Sequence, residues 1–149
     1  MRTLSQLENI SKLPDLVLCP LDSWDLISVT GEDRITFLQG QLTCDLEKLE
    51  TGQQALAAHC NPQGKAWTVA RVIVLEDRVL LTQPGSVSEV QLPELKKYAA
   101  FSKVVIQKET EYKIFGLAGP KSAEYIAEEV DTATTHETRS LLDSGTILI

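Results

Sequence analysis

Between Phe37 and Arg71 the chain reads FLQGQLTCDLEKLETGQQALAAHCNPQGKAWTVAR, and most side chains able to do chemistry lie there or at Trp24 just upstream. Gln39, Gln41, Thr43 and Asp45 place hydrogen-bond donors and acceptors around Gly40. Lys65, Trp67, Val69 and Arg71 recur at every second position, which on a strand puts them on one face. These are binding groups. Amides, a hydroxyl and cations make directed hydrogen bonds, and an indole stacks on a flat ring while donating one more. Each has a plainer reading beside it. Trp24 suits a core at a strand start. Gln39 to Asp45 suit a helix C-cap and a solvated loop. Lys65 to Arg71 suit an outward charged edge, and Lys96-Lys97 a solvated helix face.

Metal chemistry finds little support. Cys19, Cys44 and Cys60 are far apart and form no CxxC spacing, which argues against a zinc site or a disulfide framework. His59-Cys60 is the one close Cys/His pair. Neighbours on a strand point to opposite faces, so the pair makes a poor chelate. No catalytic residue and no metal ligand is assigned from the sequence.

Composition narrows the partners. The chain has 149 residues, 43% of them apolar, and a net charge of −7. That length buries about 70% of its unfolded surface, enough for an ordinary globular core. An acidic chain lacks the basic footprint that drives phosphate-backbone binding. Direct nucleic-acid binding is therefore not expected, although a local basic patch stays open. No apolar run reaches the roughly 18 residues of a membrane span. The first residues, MRTLSQLENISKL, carry scattered charges and no apolar signal core, so a cytoplasmic location is expected.

The elements that must position these groups follow from pattern. Leu4, Leu7, Ile10 and Leu13 predict a short amphipathic helix closed by Pro14. Leu16 to Leu18 and Trp24 to Thr30 read as strands. Thr30 with Asp33 resembles a capping box opening a helix that buries Ile35, Phe37 or Leu38, and Leu42, with Gly40 loosening its end. Gln54 to Cys60 predicts a strand, Asn61-Pro62-Gln63-Gly64 a type I turn, and Ala66 to Leu75 a returning strand buried on both faces. Arg78 to Gln83 completes a three-stranded meander. Ser86 with Glu89 forms a second capping box, and Val87, Val90, Leu95 and Tyr98 give a stripe that Pro93 should kink or break near Gln91. Strands are expected at Val104 to Gln107 and Tyr112 to Ala118. A helix from Gly119-Pro120 to Val130 and a last strand at Gly145 to Ile149 follow. The fold class is α+β: a ferredoxin-like split βαβ with an extra strand, then the start of a second α/β unit. The expected divisions are 1–15 as a helical lead-in, 16–109 as the first domain and 110–149 as a second, truncated one.

Four blocks, LDSW (21–24), FLQGQLTCDL (37–46), LAAHCNPQGKAW (56–67) and ELKKYAAFSKV (94–104), resemble the YgfZ family in the right order. That family comprises folate-binding proteins linked to tRNA modification and iron–sulfur enzyme maturation. It is related to the T-protein of glycine cleavage, a tetrahydrofolate-dependent aminomethyltransferase. The likeness spans about Pro20 to Gly119. The family's lysine-glycine-cysteine loop does not occur in this sequence, so the chain reads as an N-terminal fragment with an incomplete T-protein-like folate-binding fold.

The resemblance implies a folate ligand, tetrahydrofolate or a derivative, bound fully only by a longer protein. It implies that Trp24 matches a tryptophan tied to folate binding, and that Gln39, Gln41, Thr43 and Asp45 lie near the cavity. Lys65, Trp67 and Arg71 would then face the ligand and its glutamate tail. T-proteins carry an aspartate on the strand after the Asn-x-x-Gly turn; here Thr68 takes its place. A threonine cannot serve as a carboxylate base near neutral pH. The implied function is a folate-binding accessory protein supporting iron–sulfur-dependent tRNA modification, with iron–sulfur enzymes or assembly factors as partners. The alternatives are an aminomethyltransferase-like enzyme and a pure protein-interaction module.

Overall fold

A computed structural model describes residues 14–130. The expected helix over Leu4 to Leu13 and the expected strand over Gly145 to Ile149 lie outside the described residues. The element order is β1 (Val17–Pro20), β2 (Trp24–Thr30), α1 (Arg34–Gln39), β3 (Gln54–Cys60), β4 (Ala66–Val74), β5 (Arg78–Pro84), α2 (Gly85–Tyr98), β6 (Val105–Glu109), β7 (Phe115–Ala118) and α3 (Ser122–Val130). Short 3-10 turns follow α1 at Leu46–Lys48 and α2 at Ala99–Phe101.

Five strands form one sheet in the order β3-β4-β5-β2-β6, with every pairing antiparallel. β5 and β6 both run against β2, which lies between them, so they run parallel to each other and α2 joins them. This is the split βαβ, and the meander β3-β4-β5 supplies the extra strand. The α+β class is as expected. β1 and β7 pair separately, Val17 opposite Ala118 through Pro20 opposite Phe115. That pairing ties the segment just before β2 to the segment after residue 110.

Alternation divides the core. Ile27, Val29, Ala57, Ala70, Val72, Val74, Val79, Leu81 and Ile106 face α1 and α2, where Phe37, Leu38 and Leu95 meet them. Leu26, Ile73, Leu75 and Leu80 point the other way and pack with Ile114. Both clusters meet at Val72 to Val74, so only that end of β4 is buried on both faces. Nearer its start Thr68 and Ala70 are buried while Val69 is 58% exposed.

Several local expectations are corrected. Asp33 stands at the N-cap of α1 without a side-chain cap bond. Its carboxylate instead accepts the Lys103 N–H at 2.7 Å, which ties the β2–α1 corner to the approach to β6. Gly31 makes that contact possible. Its φ of +108° suits glycine, and a Cβ there would run into the Lys103 carbonyl.

Ser86 does not cap α2, because the helix already begins at Gly85 behind Pro84. β5 stays paired up to Pro84 opposite Trp24, and the Gly85 N–H donates to the Ser23 carbonyl at 2.7 Å. The chain turns from strand to helix with no loop left to hold a capping serine. α2 then runs unbroken through Pro93.

The face α2 turns inward also differs from the expected stripe. Ser88, Gln91 and Leu95 are buried, while Val90 and Tyr98 are 51% and 43% exposed. β7 is shorter than expected, and α3 starts at Ser122, whose hydroxyl donates to the Gly119 carbonyl at 2.8 Å.

Candidate functional site

The meander turn is built locally, as its residues require. The Gly64 N–H donates to the Asn61 carbonyl at 2.9 Å, and the Asn61 side chain accepts from the Gln63 and Lys65 N–H groups. Beyond the turn the ladder slips. His59 pairs with Thr68, but Cys60 pairs with Ala66, leaving Trp67 as the extra residue of a bulge. Bulges re-aim side chains. The ring of Trp67 lies against His59, with centroids 4.7 Å apart and planes at 67°.

That bulge corrects the expected alignment of Lys65, Trp67, Val69 and Arg71 on one face. His59 shares a face with its partner Thr68, the face covered by α2, and Trp67 joins them there. Lys65 precedes β4 and sits exposed in the turn. Val69 and Arg71 keep to the open face.

Trp24 lies on that same open face. Leu26, Thr82, Arg71 and Leu56 are successive cross-strand partners from β2 to β3, and Trp24 stands two residues before Leu26. Trp24 is 40% exposed and Leu56 63% exposed. The result is a partly apolar sheet surface carrying one indole and one guanidinium. The Arg71 side chain donates to Gln54 Oε1 at 3.0 Å across the sheet.

Gln39, Gln41, Thr43 and Asp45 lie elsewhere, beside the outer strand β3. Gln39 Oε1 accepts the Leu46 and Glu47 N–H groups at 2.6 and 3.2 Å, holding the 3-10 turn. Thr43 exchanges two bonds with Ala58: its N–H donates to the carbonyl at 3.0 Å and its hydroxyl accepts the N–H at 2.8 Å. Gln41 is half-buried, and Asp45 pairs with Lys48 at 2.7 Å on the surface. Strands β4 and β5 separate this edge from Trp24. The eight residues therefore fall in three places: the open face, the bulge with its turn, and the β3 edge.

A buried polar group lies beneath α2; sequence reasoning singles out Thr68 and His59 but not the glutamines and serine packed with them. The Thr68 hydroxyl donates to Gln83 Oε1 at 3.2 Å, and Gln83 Nε2 donates to the Ser88 hydroxyl at 3.0 Å. His59 and Gln91 are buried with them. Asp25, cross-strand from Gln83, pairs with Lys108 at 2.7 Å. Both amide atoms of Gln91 and Nδ1 of His59 lack a hydrogen-bond partner among the described residues. Burial pushes the His59 imidazole below its ordinary range, and the charge of Glu94 opposes this more weakly. A signal was available: Gln83 follows Val79 and Leu81 on the inward side of β5, where the pattern calls for an apolar residue.

The GCVT N-terminal domain matches residues 16–146. The chain belongs to the GCVT N-terminal domain family. The chain is 43% identical over 118 residues to the tRNA-modifying protein YgfZ of Yersinia enterocolitica (serotype O:8 / biotype 1B), covering 79% of this chain and 36% of that protein. It is 42% identical over the same length to the YgfZ of Yersinia pestis (strain Pestoides F), with the same coverage. The likeness to YgfZ proteins read from the sequence is thus present. The chain spans little more than a third of these relatives' length.

Among solved structures, the glycine cleavage system aminomethyltransferase T from Bartonella henselae superposes with a TM-score of 0.72 at 22% identity. The match covers 80% of this chain and 33% of that one. The likeness is one of fold. No helix among the described residues is long and apolar enough to cross a membrane.

Proposed function

We propose that this chain is the folate-contacting part of a cytoplasmic accessory protein that supports iron–sulfur-dependent tRNA modification. The observation that carries this reading is Trp24, a half-exposed indole on the open sheet face that also carries Val69, Arg71 and, farther across, Leu56. A pterin or aminobenzoyl ring stacks on such a wall, and a guanidinium on the same face suits an anionic glutamate tail. The names of the YgfZ relatives support the link to tRNA modification. The ligand is tetrahydrofolate or a derivative, completed by further protein surface. Iron–sulfur enzymes or assembly factors are the partners.

One-carbon transfer is the less favoured chemistry. Thr68 carries no carboxylate, and its hydroxyl is spent on Gln83. Titrating tetrahydrofolate into a longer protein containing this chain, followed by tryptophan fluorescence, tests the reading. A saturable change is expected there, with weak or no binding by residues 1–149 alone. A flat signal in the longer protein removes both folate readings.

A second reading, a protein-docking module, draws on Phe101. Its ring is fully exposed on the turn after α2, beside the half-exposed Tyr98. A flat folate titration, with partner capture that Phe101→Ala abolishes, would favour it.

A further inference from the structure

Trp67 owes its placement to an unusual pair of circumstances. The bulge deprives it of a cross-strand partner, so no ladder pair sets its ring. The ring contact it does make is with His59, edge to face, at 4.7 Å. His59 itself is 1% exposed, and its Nδ1 has no partner among the described residues.

We propose that His59 is a positioning residue: its neutral imidazole holds the Trp67 ring at the bulge and makes that ring's placement respond to protonation. The proposal does not rest on the folate reading, whose wall is the opposite, open face of the sheet. The physics is local. An aromatic pair in T-shaped contact depends on which ring offers its positive edge and which its negative face. An imidazolium keeps no negative face and seeks the face of its neighbour. A proton on Nδ1 would also leave a charged donor buried without an acceptor.

The groups around His59 do not cancel this. Thr68 on β4 has its hydroxyl committed to Gln83. Leu42, bridged to His59 on the other side, is apolar. Glu94 of α2 is the charged group that acts on His59, and it favours the protonated form less strongly than burial disfavours it. Protonation therefore alters the balance of the T-shaped contact, and the Trp67 ring, which no ladder pair holds, shifts with it.

Two-dimensional NMR of the full chain tests this through the two tryptophan indole N–H resonances, told apart by Trp24→Phe. On lowering the pH from about 8 to about 5, across the histidine range, the Trp67 resonance should move with the same midpoint as the His59 ring protons. The Trp24 resonance should stay. His59→Gln and His59→Phe should both abolish the movement. A Trp67 resonance that is flat while His59 titrates overturns the proposal, as does movement that persists in His59→Gln.

Discussion

Thr68 and Gln83, fifteen residues apart, share a buried hydrogen bond of 3.2 Å beneath α2, and Gln83 passes the connection to Ser88. Thr68 is thus tied into the helix–sheet interface. The network has a direction: hydroxyl to amide oxygen, amide nitrogen to hydroxyl. Replacing Thr68 by Asp puts an acceptor where a donor was. The Gln83 amide can turn over to answer it, since Ser88 can donate as well as accept. Thr68→Asp is expected to cost about 1–3 kcal/mol and to leave one-carbon transfer absent. Urea unfolding and an aminomethyl-transfer assay would show this; transferase activity in the variant would mean that only the carboxylate was missing.

Trp24 offers a cleaner separation of binding from folding. Its indole is 40% exposed. Trp24→Ala should lower folate affinity at least tenfold in the longer protein while costing about 1 kcal/mol of stability. Paired titration and melting curves decide it. A large drop in melting temperature with intact folate affinity would assign Trp24 to the core.

At the β3 edge the expectation is structural. The Thr43 hydroxyl accepts the Ala58 N–H at 2.8 Å. Thr43→Ala should cost about 1 kcal/mol and speed hydrogen exchange at the Ala58 amide. Unchanged exchange there would show that the bond is not holding the edge.

Gly31 tests how tightly the β2–α1 corner is set. Gly31→Ala must keep a φ of +108° and push a methyl into the Lys103 carbonyl. A loss of about 2 kcal/mol or more is expected, with the Asp33–Lys103 bond broken. A variant as stable as the parent would show that the corner relaxes freely.

The pH dependence follows from His59. Its imidazole is depressed in the folded chain because burial disfavours the charge. The unfolded chain therefore binds more protons below about pH 6.5. The stability that His59 contributes is complete above that value and is lost as the pH falls toward the folded, lower value. Denaturant melts on either side of that range, compared with His59→Gln, should show a steeper acid-side loss in the parent. Equal slopes would remove the coupling.

By itself the sequence determined the ladder units. β2 and β3 run as expected, Trp24–Thr30 and Gln54–Cys60, and the Asn61 to Gly64 turn closes as its residues demand. These signals are short-range: period-two alternation, β-branched runs, and a turn asparagine followed by proline and glycine. The split βαβ was also legible, because element order with short connections leaves few topologies.

Only the tertiary structure decided what each side chain does. The Asp33 carboxylate could cap its own helix or reach Lys103, seventy residues away; proximity created by the β2–β6 pairing settled it. α2 turned Ser88 and Gln91 inward because Gly85 is anchored to Ser23 and Ser88 to Gln83, contacts that helical periodicity does not encode. A one-residue slip opposite His59 and Cys60 moved Trp67 from the open face to the buried one. Alternation fixes faces only while the register holds, and register is a property of two strands together.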